Sequence, residues 1–128
     1  MITALIYSCS NLRNENISNI NCVVELDSQT LAFSYRWKSD SLGCLKARTM
    51  RSSEQLFEAM NADSLNKVYF ICIFGKANDS SVMGDTIVYR YFFDGLCDKS
   101  GLVDSFDYCI AEYIFINQKL LNREYTCN

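Results

Sequence analysis

Seven cysteines and no histidine decide what chemistry is open to this 128-residue chain. Without an imidazole, Ser-His and Cys-His nucleophile pairs and His-ligated metals are impossible, and acid–base work falls to carboxylates, Lys, Tyr or Cys. The cysteines, at 9, 22, 44, 72, 97, 109 and 127, include no Cys-x-x-Cys and no close pair, so they match neither a zinc ribbon nor a regular disulfide framework. Cys22, Cys72 and Cys109 sit in apolar runs and read as small buried hydrophobes in a reducing compartment. Cys44, near Lys46 and Arg48, is the best placed to be reactive, but a packing role is the simpler account. Ser64-Leu65-Asn66-Lys67 fits Ser-x-x-Lys without its companion motifs, and Gly75-Lys76 lacks the rest of a phosphate loop. The spacing of Asp94, Asp98, Asp104 and Asp107 is not that of a calcium loop. The inventory predicts no enzyme, no cofactor and no metal.

Recognition chemistry is better represented. Between Asp79 and Glu112 stand seven acidic residues, Asp79, Asp85, Asp94, Asp98, Asp104, Asp107 and Glu112, against Arg90 and Lys99. Tyr108 and Phe115, with Glu112 between them and Lys119 beyond, make an aromatic and charged set of the kind that anchors protein interfaces. The expected partner-binding residues are therefore Asp94, Asp98, Asp104, Asp107, Tyr108, Glu112, Phe115 and Lys119. A second stretch is basic: Arg36, Lys38, Lys46, Arg48 and Arg51 against Asp40 alone. Mixed with Trp37, it offers an alternative role in nucleic-acid binding or regulation. An overall net charge of −3 and a pI near 4.8 disfavour that alternative. A small-ligand domain with a pocket near Asn117 is the other alternative.

These residues must be carried on a folded frame. The composition, 49 % hydrophobic and 21 % charged, is that of one globular domain spanning residues 1–128. Val68 to Phe74 is apolar on every side and, bounded by Gly75, reads as a central strand covered on both faces. Ile2 to Tyr7 reads as a first strand. Ile20–Asp27 and Thr30–Trp37 read as a hairpin over Ser28 and Gln29, with Cys22, Val24 and Leu26 opposite Tyr35, Phe33 and Leu31. Ser52, with Gln55 three residues on, caps a short helix carrying Leu56, Phe57 and Met60. Thr86 to Asp94 is an aromatic strand with Ile87, Tyr89, Tyr91 and Phe93 on one face. Asp104 starts a long helix to Arg123, whose stripe of Phe106, Ile110, Tyr113, Ile114, Leu120 and Leu121 lies on the sheet and puts Tyr108 and Phe115 outside. Asn117 falls inside that stripe. The expected fold is α+β: about five mostly antiparallel strands, with the long C-terminal helix and the shorter middle helix packed on the sheet.

In size, in its Asn-, Ser-, Tyr- and Ile-rich style and in the acidic stretch around Asp94, Asp98, Asp104, Asp107 and Glu112, the chain resembles the immunity proteins of bacterial contact-dependent growth inhibition systems. The resemblance covers the whole chain and rests on no motif. It implies a protein that binds and occludes a cognate toxin, often a nuclease and here expected to be basic; the chain itself is expected to be a monomer or small homo-oligomer. It also implies a cytoplasmic site of action. The first residues have no Lys or Arg before a short apolar run, so they do not fit a signal peptide, and no stretch approaches the ~18 apolar residues of a membrane span. On that expectation the sequons Asn16-Ile17-Ser18 and Asn78-Asp79-Ser80 carry no meaning.

Overall fold

The computed structural model describes residues 22, 26–60, 66–103 and 108–127. It is α+β, with three helices preceding an antiparallel sheet: α1 Ser28–Ser39, α2 Met50–Ala59 and α3 Lys67–Phe74, then β1 Asp79–Met83, β2 Thr86–Phe93, β3 Cys97–Asp98, β4 Gly101–Leu102, β5 Cys109–Ile116 and β6 Lys119–Cys127. Four strands pair in the order β1-β2-β5-β6, and β3 with β4 forms a separate two-stranded ribbon. No described helix is long and apolar enough to cross a membrane.

The apolar run Val68–Phe74 is a helix, not a central strand. Its N-cap is Asn66, whose side-chain oxygen accepts from the Tyr69 amide at 2.9 Å. Gly75 ends it with φ +79. A Cβ there would come within 2.8 Å of the Lys38 side chain, so glycine meets both a backbone and a packing demand. Seven apolar residues in succession carry neither a 3.6 nor a 2.0 period, so their order alone does not separate a buried strand from a buried helix. Caps at both ends do.

Residues 30–37 are helical too, which removes the expected hairpin. Asp27 caps α1, accepting from the Thr30 amide at 2.8 Å and the Thr30 hydroxyl at 2.9 Å. The helix buries Thr30, Ser34 and Trp37, spaced four and three apart, while Leu31 and Tyr35, expected inside, are 48 % and 72 % exposed. Two small polar residues on the buried stripe hide its period; Ser34 resolves its own burial by donating to the Ile73 carbonyl at 2.6 Å. Of the other expected hairpin strand, only Cys22, Leu26 and Asp27 are among the described residues; Ile2–Tyr7 lies wholly outside them. α2 begins two residues before Ser52: Thr49 is the N-cap and Ser52 returns the bond as the third helical residue, a reciprocal capping box.

The long C-terminal helix is replaced by the β5–β6 hairpin. Asn117 and Gln118 turn it with φ +52 and +73, the two left-handed positions of a type I′ turn. Asn117 is thus an exposed turn residue, and its amide donates to the Asp85 carbonyl at 3.2 Å. Register slips once, where Ile114 faces Asn122 and Phe115 faces Leu120, leaving Leu121 as the bulged residue.

β2 keeps its expected faces: Ile87, Tyr89, Tyr91 and Phe93 are buried and alternate with half-buried neighbours. With Ala111, Tyr113 and Phe115 of β5 they form the inner face, against which the helices set Trp37, Leu56, Phe70, Ile73 and Phe74. Phe70 is the hub, stacked on Phe74 at 4.3 Å and within 4.8 to 5.9 Å of Tyr113, Phe115 and Tyr91. Each such side chain contributes about 1.5–3 kcal/mol on burial, and each ring pair roughly 0.5–1.5 kcal/mol more.

Six of the seven cysteines are paired, contrary to the expectation of buried thiols: Cys22–Cys72, Cys44–Cys97 and Cys109–Cys127, with Cα separations of 5.3, 5.5 and 4.1 Å. The partners lie 50, 53 and 18 residues apart in sequence, which is why no local spacing announces them. Cys109 and Cys127 face each other in the β5–β6 register. Cys44, whose basic neighbours suggested reactivity, is locked to the β3–β4 ribbon through Cys97.

Candidate functional site

The three described helices pack on the inner side of the sheet, and none of them covers its outer face. There the even-numbered positions of β2 and β5 project together. Val88, Phe92, Ile110 and Ile114 are half-buried, and Tyr108 stacks on Phe92 with ring centroids 4.0 Å apart. The β2–β5 register sets Val88 opposite Ile114 and Phe92 opposite Ile110, which makes one continuous apolar strip. Ile116, Met83 and Leu121 extend apolar surface at the far end with 36 %, 80 % and 67 % exposure.

A charged row crosses this strip. Arg90 faces Glu112 across the β2–β5 ladder and pairs with it at 2.8 Å; on its other side it reaches Asp79 at 3.2 Å and the Ser81 hydroxyl at 3.2 Å. Strand pairing positions all three, since Asp79 is the β1 partner of Arg90. The row sets one cation against two carboxylates, a net charge of −1. It can present hydrogen-bonding groups to a partner and favours a basic one over an acidic one.

The residues expected to bind a partner divide accordingly. Tyr108 and Glu112 share the outer face, and Asp94 and Asp98 are exposed near its Phe92–Tyr108 end, immediately after β2 and in β3. Asp98 is held in an Asx turn by the Ser100 amide and hydroxyl, both at 2.8 Å, and these bonds keep its carboxyl below the usual range. Phe115 is not a surface anchor: on a strand its odd position turns it into the core, where it is fully buried. Lys119 is exposed but opens β6, at the end of the hairpin opposite Tyr108, about 25 Å away along the strand. Asp104 and Asp107 lie outside the described residues. Phe92, Val88, Ile110 and Ile114 are the interface candidates that a helical reading of residues 104–123 hides, because it turns Ile110 and Ile114 inward.

The basic stretch also separates. Arg48 is 2 % exposed and works as a buried strut: Nε donates to the Trp37 carbonyl at 2.8 Å, and Nη1 to Ser41 O, Asn78 Oδ1 and Phe92 O at 3.1, 2.9 and 3.3 Å. Asp40, also 2 % exposed, holds the same loop by accepting from the amides of Leu45, Ala47 and Arg48 at 2.9 to 3.0 Å. Trp37 is in the core under the Arg48 guanidinium, 5.0 Å from it, so it offers no stacking platform for a base. Beside Arg48 opens a cleft of about 250 Å³ lined by Lys38, Ser41, Arg48, Gly75, Lys76, Ala77 and Asn78.

On α2, Ser53 is fully buried, and its hydroxyl meets the hydroxyls of Tyr113 and Tyr125. Burial pushes both phenols above their usual range. Tyr125 in turn bonds Glu54, which pairs with Arg123. The network closes on itself and pins α2 to β5 and β6. Among the described residues, no group of three His, Cys, Asp or Glu could hold a metal.

No protein-family model, curated protein or solved structure matches the chain.

Proposed function

We propose that the chain is a non-enzymatic binding domain whose outer sheet face occludes a protein partner. The observation that carries this reading is the Phe92–Tyr108 stack set in a strip of half-buried Val88, Ile110 and Ile114. A rigid aromatic pair bordered by aliphatic side chains, with a polar row across it, is the composition of an interface centre. Exposed Asp94 and Asp98 at the same end favour a basic partner, such as the toxin that the immunity-protein resemblance implies. The non-enzymatic part rests on the absence of histidine and on the burial of Ser53 among phenols with no access for a substrate. Three disulfides between residues distant in sequence favour an oxidising compartment, which departs from the cytoplasmic site expected from the sequence, so we place the encounter with that partner outside the reducing cytosol.

Affinity capture with the oxidised protein, eluted in a salt series, tests this reading. Tyr108→Ser and Ile114→Asp, both on the outer face and away from the inner core, serve as controls. The wild type should retain a stoichiometric basic protein that both variants lose while keeping their circular dichroism. Retention by both variants would move the interface elsewhere, and nucleic acid in the eluate with no protein would replace the proposal.

A further inference from the structure

The cleft beside Arg48 is lined by none of the apolar residues of the outer sheet face, and its lining is chemically one-sided. Three chain segments meet there: the end of α1 supplies Lys38, the following loop Ser41 and Arg48, and the α3–β1 connection Gly75 to Asn78. Three of the seven lining residues are cations and none is acidic. Of the neighbouring carboxylates, Asp40 is committed to three backbone amides and acts on Arg48, while Asp79, next in sequence after Asn78, is paired with Arg90. Three positive charges against one negative leave an excess of about two, which is the charge of a phosphate monoester near pH 7.

The donors are placed to serve a ligand. Lys38 spends one of its three N–H groups on the Cys72 carbonyl at 3.1 Å, and its stem lies against Gly75. Burial pushes this ammonium below its usual value, so an anion beside it would relieve an existing cost. The four described side-chain hydrogen bonds of Arg48 leave from Nε and Nη1, and none uses Nη2. Asn78 fixes the floor, its Oδ1 taken by Arg48 and the Phe92 amide and its Nδ2 by the Ser41 carbonyl. No described hydrogen bond or ion pair occupies Lys76, which is exposed at the rim. The volume is below the ~300–1,000 Å³ of drug-sized sites. It suits a compact head group.

We propose that this cleft binds a phosphate monoester, with Lys38 and Lys76 as its mobile cations and Arg48 as the fixed one. Lysine meets phosphate as a point charge, whereas the buried guanidinium supplies a preset direction. Because the cleft and the outer sheet face share none of the residues that carry either proposal, one can fail without the other.

The test is NMR titration of the oxidised full chain with methyl phosphate and, separately, methyl sulfate at low ionic strength. Saturable shifts should centre on Lys38, Ser41, Arg48 and Gly75 to Asn78, with methyl phosphate bound more tightly than the monoanionic sulfate ester. Lys76→Gln, at an exposed side chain without bonds to lose, should weaken binding about two- to fivefold, and Lys38→Gln with Lys76→Gln about five- to tenfold or more. Arg48 is left in place because the fold depends on it. Shifts spread over all surface lysines and arginines, unchanged affinity in the folded double variant, or equal affinity for both esters would each overturn the assignment.

Discussion

Arg123 of β6 grips Glu54 of α2 through two parallel hydrogen bonds, Nε to Oε2 and Nη2 to Oε1, each 2.8 Å long. The same guanidinium lies 3.7 Å over the Phe57 ring one turn further along the helix. A fork of this kind is stronger than a single-point ion pair, and here it joins elements 69 residues apart. Both side chains are about one-third exposed, so water weakens the pair without abolishing it.

The pH dependence of stability should report this pair. The Arg123 bonds, aided by the Tyr125 hydroxyl, lower the Glu54 carboxyl from 4.5 to about 2. A depressed acid stabilises the fold above its unfolded value and loses that contribution as pH falls through its folded value, so the loss runs from about pH 4.5 down to about 2. Glu54→Gln should cost about 1 kcal/mol at neutral pH and flatten the urea-denaturation midpoint across that window. Equal acid sensitivity in wild type and variant would assign the effect to other carboxylates.

Peptide mapping without reduction should recover Cys22–Cys72, Cys44–Cys97 and Cys109–Cys127 as linked pairs. Replacing Cys44 and Cys97 together by Ser should lower stability by about 2–4 kcal/mol in denaturant titrations. The Cys109 and Cys127 double replacement should cost roughly 1 kcal/mol less, because its loop is 18 residues rather than 53.

Two glycines with positive φ should respond very differently to a methyl group. At Gly43, φ +75, a Cβ would come within 2.5 Å of the Asp94 amide nitrogen, so Gly43→Ala should cost more than about 2 kcal/mol by thermal denaturation. At Gly84, φ +60, nothing lies within 4 Å of the added carbon, and Gly84→Ala should cost only about 1 kcal/mol of backbone strain.

Phe70→Ala would empty the centre of the aromatic cluster. With Phe74, Tyr113 and Phe115 all losing a neighbour at about ring-contact distance, the change should destabilise by about 3–5 kcal/mol in denaturant titration. Phe92→Ala, on the half-buried outer face, should cost clearly less.

How much of this was legible in the sequence depended on whether local order carries the information. β2 was, because Ile87, Tyr89, Tyr91 and Phe93 alternate with less buried partners over a full strand. α2 was, though its cap lies three residues earlier at Thr49, because Leu56 and Met60 keep helical spacing behind a serine-rich start. Residues 68–74 were not, since a segment buried all round erases its own period, and residues 109–123 were not because Ile110, Tyr113 and Ile114 satisfy helical spacing while the strand buries one set and half-covers the other. Asn117 was the missed signal: it reads as a flaw in a helical stripe and as a natural residue of a type I′ turn. Tyr108 and Glu112 lie half-buried on the outer face even though a strand, not a helix, follows Tyr108 and carries Glu112. Phe115 was lost because the same strand turns it into the core. The disulfide pairs and the cleft depend on residues brought together from segments far apart in sequence, and no spacing rule reaches that far.

The Cys109–Cys127 bridge also decides how the fold answers mechanical load. β6 is an edge strand held by ladder hydrogen bonds to β5, and such a strand peels one bond at a time when tension is applied at its end. A pull at Cys127 cannot start that unzipping, because the tension passes through the sulfur bridge directly into the first residue of β5. Reduction of this one bond would leave the end of β6 held by its ladder hydrogen bonds alone.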